Sequence, residues 1–97
     1  MQFEEHPEQI IAKTDDQQWA GKVVLPFVDH PHHRVVVERV FVVPEFRHQG
    51  LAAQLMEHFI DYAHQHDYTV KIMCPYAKQY FKTHPDAQSL LLPQDRY

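Results

Sequence analysis

Glycine is nearly absent from this chain: only two occur in 97 residues, Gly21 and Gly50. Either position therefore invites a specific explanation, because glycine is where a backbone turns tightly or is approached closely. Cysteine is scarcer still. The lone Cys74 excludes an internal disulfide and fits a reducing compartment. No apolar run approaches the roughly 20 residues of a membrane-spanning helix, and no membrane partner is expected. Basic residues are also in deficit: nine Lys and Arg stand against thirteen Asp and Glu, for a net charge of -4. That balance disfavours nucleic-acid binding, which needs a basic footprint. The opening residues, MQFEEHPEQ, lack the apolar core of a secretory signal. A cytoplasmic, soluble protein is expected, with one small domain over residues 1–97.

What is present is ordinary globular material, 44% hydrophobic and 23% charged. Gln9 to Thr14 is short and partly apolar, and Asp15-Asp16 follows as a turn. Trp19 to Val28 is rich in strand formers, with Pro26 marking an edge or a bulge. Asp29 to His33 punctuates the chain. Arg34 to Val43 (RVVVERVFVV) is the strongest strand signal, dense enough to be covered on both faces. These segments suit an antiparallel meander. Beyond the loop Pro44 to Gln49, the residues Leu51, Leu55, Phe59, Tyr62 and Ala63 recur at helical spacing until Asp67. Tyr68 to Met73 reads as a further strand, and Pro75 to His84 as a second helix bounded by prolines. The expected fold is α/β, a meander feeding one strand–helix–strand crossover with parallel strands, then a C-terminal helix. Asp86 to Tyr97 is expected as a short cover or tail.

The stretch VVPEFRHQGLA, from Val42 to Ala52, carries the chemistry. At a helix start the first N–H groups lack intrahelical partners and sit at the positive end of the dipole. A turn over Arg47–Ala52 aims several of these donors at one point, where a phosphate can accept them. Gly50 admits close approach, Ala52 does the same one turn on, and Arg47 offers a charge-assisted contact or a brace. Spacing alone leaves open whether Gly50 binds an anion or merely relaxes a strand-to-helix turn.

With Pro44, Glu45, Arg47, Gly50 and Ala52 in place, this stretch resembles motif A of the GCN5-related N-acetyltransferases. The chain is most similar to a small, trimmed acetyltransferase-like family that carries PEFRGQG-[IL]-A, then C-x-Y-A-K, then H-P. Here the matching residues are PEFRHQGLA, CPYAK (Cys74–Lys78) and THPD (Thr83–Asp86). The resemblance implies a GNAT-like fold and acetyl-CoA as ligand. The ligand would lie between the strand ends at Val43 and Met73, along Phe41, Val42 and Val43. Its pyrophosphate would rest on the amides of His48, Gln49, Gly50, Leu51 and Ala52, with Arg47 beside it. One departure is His48 where the family usually has glycine. It keeps the backbone N–H while stiffening the loop and adding a titratable side chain.

Three residues are candidates for the reaction itself. Cys74 stands where a strand gives way to a helix; the resemblance implies that it accepts the acetyl group or contacts the pantetheine arm, and the alternative is a small buried hydrophobe. Glu38 lies on the face of Val40 and Val42; the resemblance implies a base that deprotonates the acceptor amine, and the alternative is half of an ion pair with Arg34, Arg39 or Lys71. Tyr80 shares a helix face with Tyr76. The resemblance implies that a tyrosine on this helix protonates the departing CoA thiolate, although Tyr80 and Phe81 straddle the matching position. Tyr76 and Lys78 are further contacts for the cofactor. Lys78 either reaches a phosphate or is simply solvated.

Nine histidines invite a metal reading, yet His30, His32, His33, His64 and His66 lack the spacing of a ligand set, and no metal is expected. Cys74 and His84 lie near opposite ends of one helix, about 15 Å apart at 1.5 Å per residue, too far for a dyad. Two functions follow. The first is an acetyl-CoA-dependent transferase with an unknown amine acceptor, working directly or through Cys74. The second is a CoA-binding or acyl-sensing module without catalysis, suggested by the small size. A monomer or weak homodimer is expected, since an edge strand can pair with a second copy.

Overall fold

The computed structural model describes every residue except His30 and His32, so part of the turn expected over Asp29–His33 lies outside the described residues. Seven strands and two helices follow in order: β1 (Gln2–His6), β2 (Gln9–Lys13), β3 (Trp19–Val24), β4 (Phe27–Asp29), β5 (Arg34–Val37), β6 (Arg39–Val42), α1 (Leu51–Gln65), β7 (Thr69–Ile72) and α2 (Pro75–Thr83). Short 3-10 turns occupy Pro44–Phe46, Pro85–Leu90 and Pro93–Asp95. The meander is real: β1, β2, β3 and β6 form an antiparallel sheet in that order. The crossover is equally clear, with β5 pairing parallel to β7 from Arg34↔Thr69 to Val37↔Ile72.

Two of the expected long strands are broken. Trp19–Val28 divides at Leu25-Pro26, and Arg34–Val43 divides at Glu38. Proline has no N–H for a ladder, so the strand yields there. Its carbonyl still accepts from Val36 N–H at 3.0 Å, and Val24 O accepts from Glu38 N–H at 3.0 Å. The two sheets are thus stitched through their breaks. The consequence is that β5 stays between β4 and β7, while β6, among the described residues, pairs only with β3 and presents a free edge. Burial follows the same division. Val35, Val36 and Val37 are buried, as a strand covered on both faces must be, whereas Arg39 to Val42 are partly or largely exposed. β1 also forms, though its polar sequence hides it; its Glu4 pairs with Lys13 Nζ at 3.2 Å.

α1 buries Leu51, Leu55, Met56, Phe59, Tyr62 and Ala63 against β2, β3 and β6. Fully burying a side chain such as Leu55 or Phe59 contributes roughly 1.5–3 kcal/mol. The helix ends as Asp67 turns left-handed (φ 55°), with Tyr68 N–H reaching back to Ala63 O at 2.9 Å. That six-residue closure satisfies a carbonyl that the last turn leaves open. No helix among the described residues is long and apolar enough to cross a membrane.

Candidate functional site

Where β7 ends, the N–H groups of Met73 and Cys74 both donate to Val37 O, at 3.0 and 3.1 Å. The chain then enters α2, and β7 leaves β6 uncovered. Val43 N–H donates to Ala20 O at 2.8 Å, towards β3. Residues of an antiparallel strand alternate in direction, so Val42 and Val40 turn their backbone groups to the free edge. Arg47 Nε takes up Val42 O at 2.9 Å, which ties the following loop to that edge. A hydrogen bond to a charged donor of this kind is worth about 1.5–3 kcal/mol.

The loop is built to leave donors exposed. Within the 3-10 turn Phe46 N–H bonds to Val43 O at 2.8 Å, and beyond it Gln49 Nε2 donates to Glu45 O at 3.3 Å. His48 (φ 64°) and Gly50 (φ 80°) are both left-handed, which reverses the chain into α1. Gly50 is the N-cap, with no side chain to cap the helix, and no acidic residue stands in the first turn. Helices ordinarily place Ser, Thr, Asp or Asn at that cap and acids just after it. The first intrahelical bond runs from Gln54 N–H to Gly50 O, so the earlier amides stay open.

These amides border a hollow of about 470 Å³ lined by Val40, Phe41, Val42, Phe46, Arg47 and His48, by the start of α1 from Gly50 to Ala53, and by Tyr76. Among the described residues, no carboxylate lines it. A second hollow, about 580 Å³, lies between the C-terminal halves of the helices and has the opposite character, with Glu57, Asp61 and Asp86 in its wall. Sign, not size, decides between them for an anion.

The expected ligand contacts divide accordingly. Phe41, Val42, Arg47, His48, Gly50, Leu51, Ala52 and Tyr76 come together around the first hollow; Val43, Gln49 and Lys78 do not line it. Lys78 instead borders a small hollow with Lys71 and the C-terminal residues Asp95 and Tyr97. Val40, Phe46 and Ala53 are additional lining residues. Val40 was foreshadowed by its alternation with Val42, and Ala53 by its place in the first helical turn; Phe46 carried no such signal.

Cys74 is the N-cap of α2, 7% exposed, within the hydrophobic core. Glu38 is exposed at the strand break, and among the described residues it makes no ion pair, so the pairing with Arg34, Arg39 or Lys71 is not found. The two tyrosines separate. Tyr80 is 8% exposed, stacks on His84 with centroids 3.8 Å apart, and lines the acidic hollow. Tyr76 is 40% exposed and lines the first. Burial, with the Cys74 thiol second, holds the Tyr76 phenol above its ordinary range; burial and then Glu57 do the same for Tyr80. Phe81 is fully buried.

A family model described as GCN5-related N-acetyl-transferase matches residues 10–90. No curated protein matches the chain. Among solved structures, a GCN5-like protein from Staphylococcus aureus studied by solution NMR aligns with a TM-score of 0.73 at 16% identity, over 94% of this chain and 87% of that one. That likeness is one of fold. The GNAT family N-acetyltransferase YhbS of Escherichia coli, solved in complex with CoA, is 28% identical with a TM-score of 0.60, over 67% of this chain and 38% of that one. Nourseothricin acetyltransferase is 22% identical with a TM-score of 0.55, over 84% and 49%. The chain spans less than half the length of these last two.

Proposed function

The chain belongs to the GCN5-related N-acetyltransferase family, and on that premise we propose that it binds acetyl-CoA in the hollow beside β6 and passes the acetyl group to an amine. One observation carries the reading: a helix start with a glycine cap and no acid in its first turn opens into a hollow that no carboxylate lines among the described residues. Such an end suits the pyrophosphate of CoA, held by the amides of Gly50 to Ala53 and by Arg47. The free edge of β6 offers backbone donors and acceptors to the two amides of the pantetheine arm. The relative solved with CoA adds support.

The amine nitrogen attacks the thioester carbonyl carbon, and the bond from that carbon to the CoA sulfur breaks. Glu38, exposed and unpaired where the strands part, accepts the amine proton. Tyr76, on the hollow and held protonated at neutral pH, donates to the departing sulfur; Tyr80 faces the other hollow. The burial of Cys74 favours this direct route. Its position at the α2 N-cap beside Tyr76 supports a second route, in which the thiol first takes the acetyl group as a thioester.

Calorimetric titration with CoA tests the binding, with Arg47→Ala expected to weaken it about tenfold or more. No binding by the wild-type protein would overturn the proposal. Intact-mass measurement after acetyl-CoA treatment separates the routes: one acetyl group retained by the wild type and lost in Cys74→Ala supports the covalent one. Binding without transfer to any amine would instead support a CoA-sensing module.

A further inference from the structure

The core closes one face of the sheet, because α1 lies across β2, β3 and β6. An acceptor therefore meets the free edge of β6 from the opposite face. On that face the chain gathers an unusual set of side chains. The register of β2 against β3 shifts at Ala12/Lys13, and this irregularity brings Trp19 round to the side of Lys22 and Phe41. Trp19 stacks on Phe41, ring centroids 5.6 Å apart and 19° from parallel. The Arg39 guanidinium lies 4.9 Å from the Phe41 ring, that of Arg47 lies 5.7 Å from it, and Lys22 Nζ is 5.9 Å from the Trp19 ring.

Lys13 is neutralised by Glu4 at 3.2 Å. Among the described residues, however, no ion pair engages Lys22, Arg39 or Arg47. Two cations outside any ion pair, Lys22 and Arg39, thus share one face with two rings, and Arg47 is committed to Val42 O at its edge, in a chain whose acids outnumber its bases by thirteen to nine. Trp19 remains 43% exposed. Exposed aromatics with arginine are the composition of recognition surfaces, and ring faces hold the cations in place without neutralising them. Trp19, Lys22 and Arg39 line none of the hollows described above. A small molecule prefers a concave site, whereas an open sheet face suits an extended chain.

We propose that this face docks the acceptor as an acidic peptide segment, whose carboxylates meet Lys22 and Arg39 while its amine reaches Glu38 at the strand break. The acceptor role rests on the acetyltransferase reading above; the docking itself does not. Trp19 is the only tryptophan, so its emission reports occupancy of this face directly.

The experiment titrates the protein with two synthetic heptapeptides, each bearing one free α-amine, one rich in Asp and Glu and the other in Lys and Arg. The acidic peptide is expected to shift Trp19 emission, to bind more weakly as salt rises, and to be the one that gains an acetyl group from acetyl-CoA by mass. Lys22→Glu/Arg39→Glu should lower its affinity about tenfold or more, while CoA affinity measured by calorimetry stays at the wild-type value. The inference is overturned if both peptides bind alike, if an oligonucleotide gives the response and the acidic peptide does not, or if the basic peptide is the one acetylated; transfer to neither peptide counts against the acetyltransferase reading and leaves the fluorescence result to decide the docking. The inference is equally overturned if the double variant loses CoA affinity instead, because the cations would then serve the cofactor's phosphates. Failure of the wild-type protein to bind CoA counts against the parent reading alone, and the fluorescence result still decides the docking.

Discussion

Replacing Gly21 by alanine tests how closely β3 must approach β6 beneath the site. A Cβ at Gly21 stands 2.7 Å from Phe41 O, 3.3 Å from Leu55 Cδ1 and 3.4 Å from Val42 Cα. Leu55 can rotate away, but the Phe41 carbonyl belongs to the strand and moves only with it. Carbon and oxygen sit comfortably at about 3.3 Å, so the strands must part by roughly 0.6 Å. Overfilling of this kind costs about 1–3 kcal/mol. The less flexible unfolded chain of the alanine variant offsets about 0.4–1 kcal/mol of that. The net expectation is a loss of about 1–2 kcal/mol, or a Tm lower by roughly 4–16 °C for a domain of this size. Phe41 and Val42 line the hollow, so CoA affinity should fall as well. Circular-dichroism melting with calorimetric CoA titration reads both. A Tm equal to or above wild type would refute the close approach. Gly50→Ala is the contrast: its Cβ meets nothing within 4 Å, and only the left-handed φ of 80° is penalised, so the net loss should be about 0.5–1 kcal/mol.

His48→Gly should raise stability by about 0.5 kcal/mol, because relief of a left-handed side chain slightly exceeds the entropy of an added glycine. CoA affinity should hold, since the backbone N–H is kept; a drop in Tm would mean the imidazole makes contacts that matter. Tyr62 is pushed up to about 12 by burial and by Tyr68. Between pH 10 and 12 the unfolded chain loses this proton while the folded one keeps it, so stability from Tyr62 is complete below pH 10 and is lost towards pH 12. Urea midpoints at pH 9 and 11 should therefore converge in Tyr62→Phe, and an unchanged slope would remove Tyr62 from the account. Tyr76→Phe is expected to lower kcat by about 10²-fold or more, whereas Tyr80→Phe should change Tm and leave kcat near wild type; the reverse pattern would return the proton to Tyr80.

The helices and the crossover were readable because their signals are local. Leu51, Leu55, Phe59, Tyr62 and Ala63 mark one face by spacing alone, and prolines bracket α2. The break at Glu38 was not readable, since β-branched residues run on both sides of it. It is set by partners distant in sequence: Pro26 interrupts the strand alongside, and β7 turns away at Val37. The same distance effect separates Tyr76 from Tyr80. Their spacing of four puts them on one helix face, yet the α1 residues opposite each differ, and each phenol lines a different hollow. Glu38 sits in a strand-forming run and alternates onto the face of Val40 and Val42, but the strand opens there and exposes it.

The scarcity of glycine now separates the two that are present. Gln17, His33, His48 and Asp67 all adopt positive φ with full side chains, so this chain makes left-handed turns without glycine and bears the strain. Left-handedness by itself therefore does not account for Gly50. Gly21 has a steric reason in the Phe41 carbonyl, 2.7 Å from where its Cβ would stand. Gly50 has no such neighbour: the space beside it belongs to the hollow lined by Arg47, His48 and the first turn of α1. A side chain there would meet nothing in the protein within 4 Å, and on the proposed reading it would stand in the path of CoA towards the amides. Gly50→Ala should for that reason lose more in CoA affinity than its small loss of stability accounts for, and equal losses would reduce Gly50 to a turn residue.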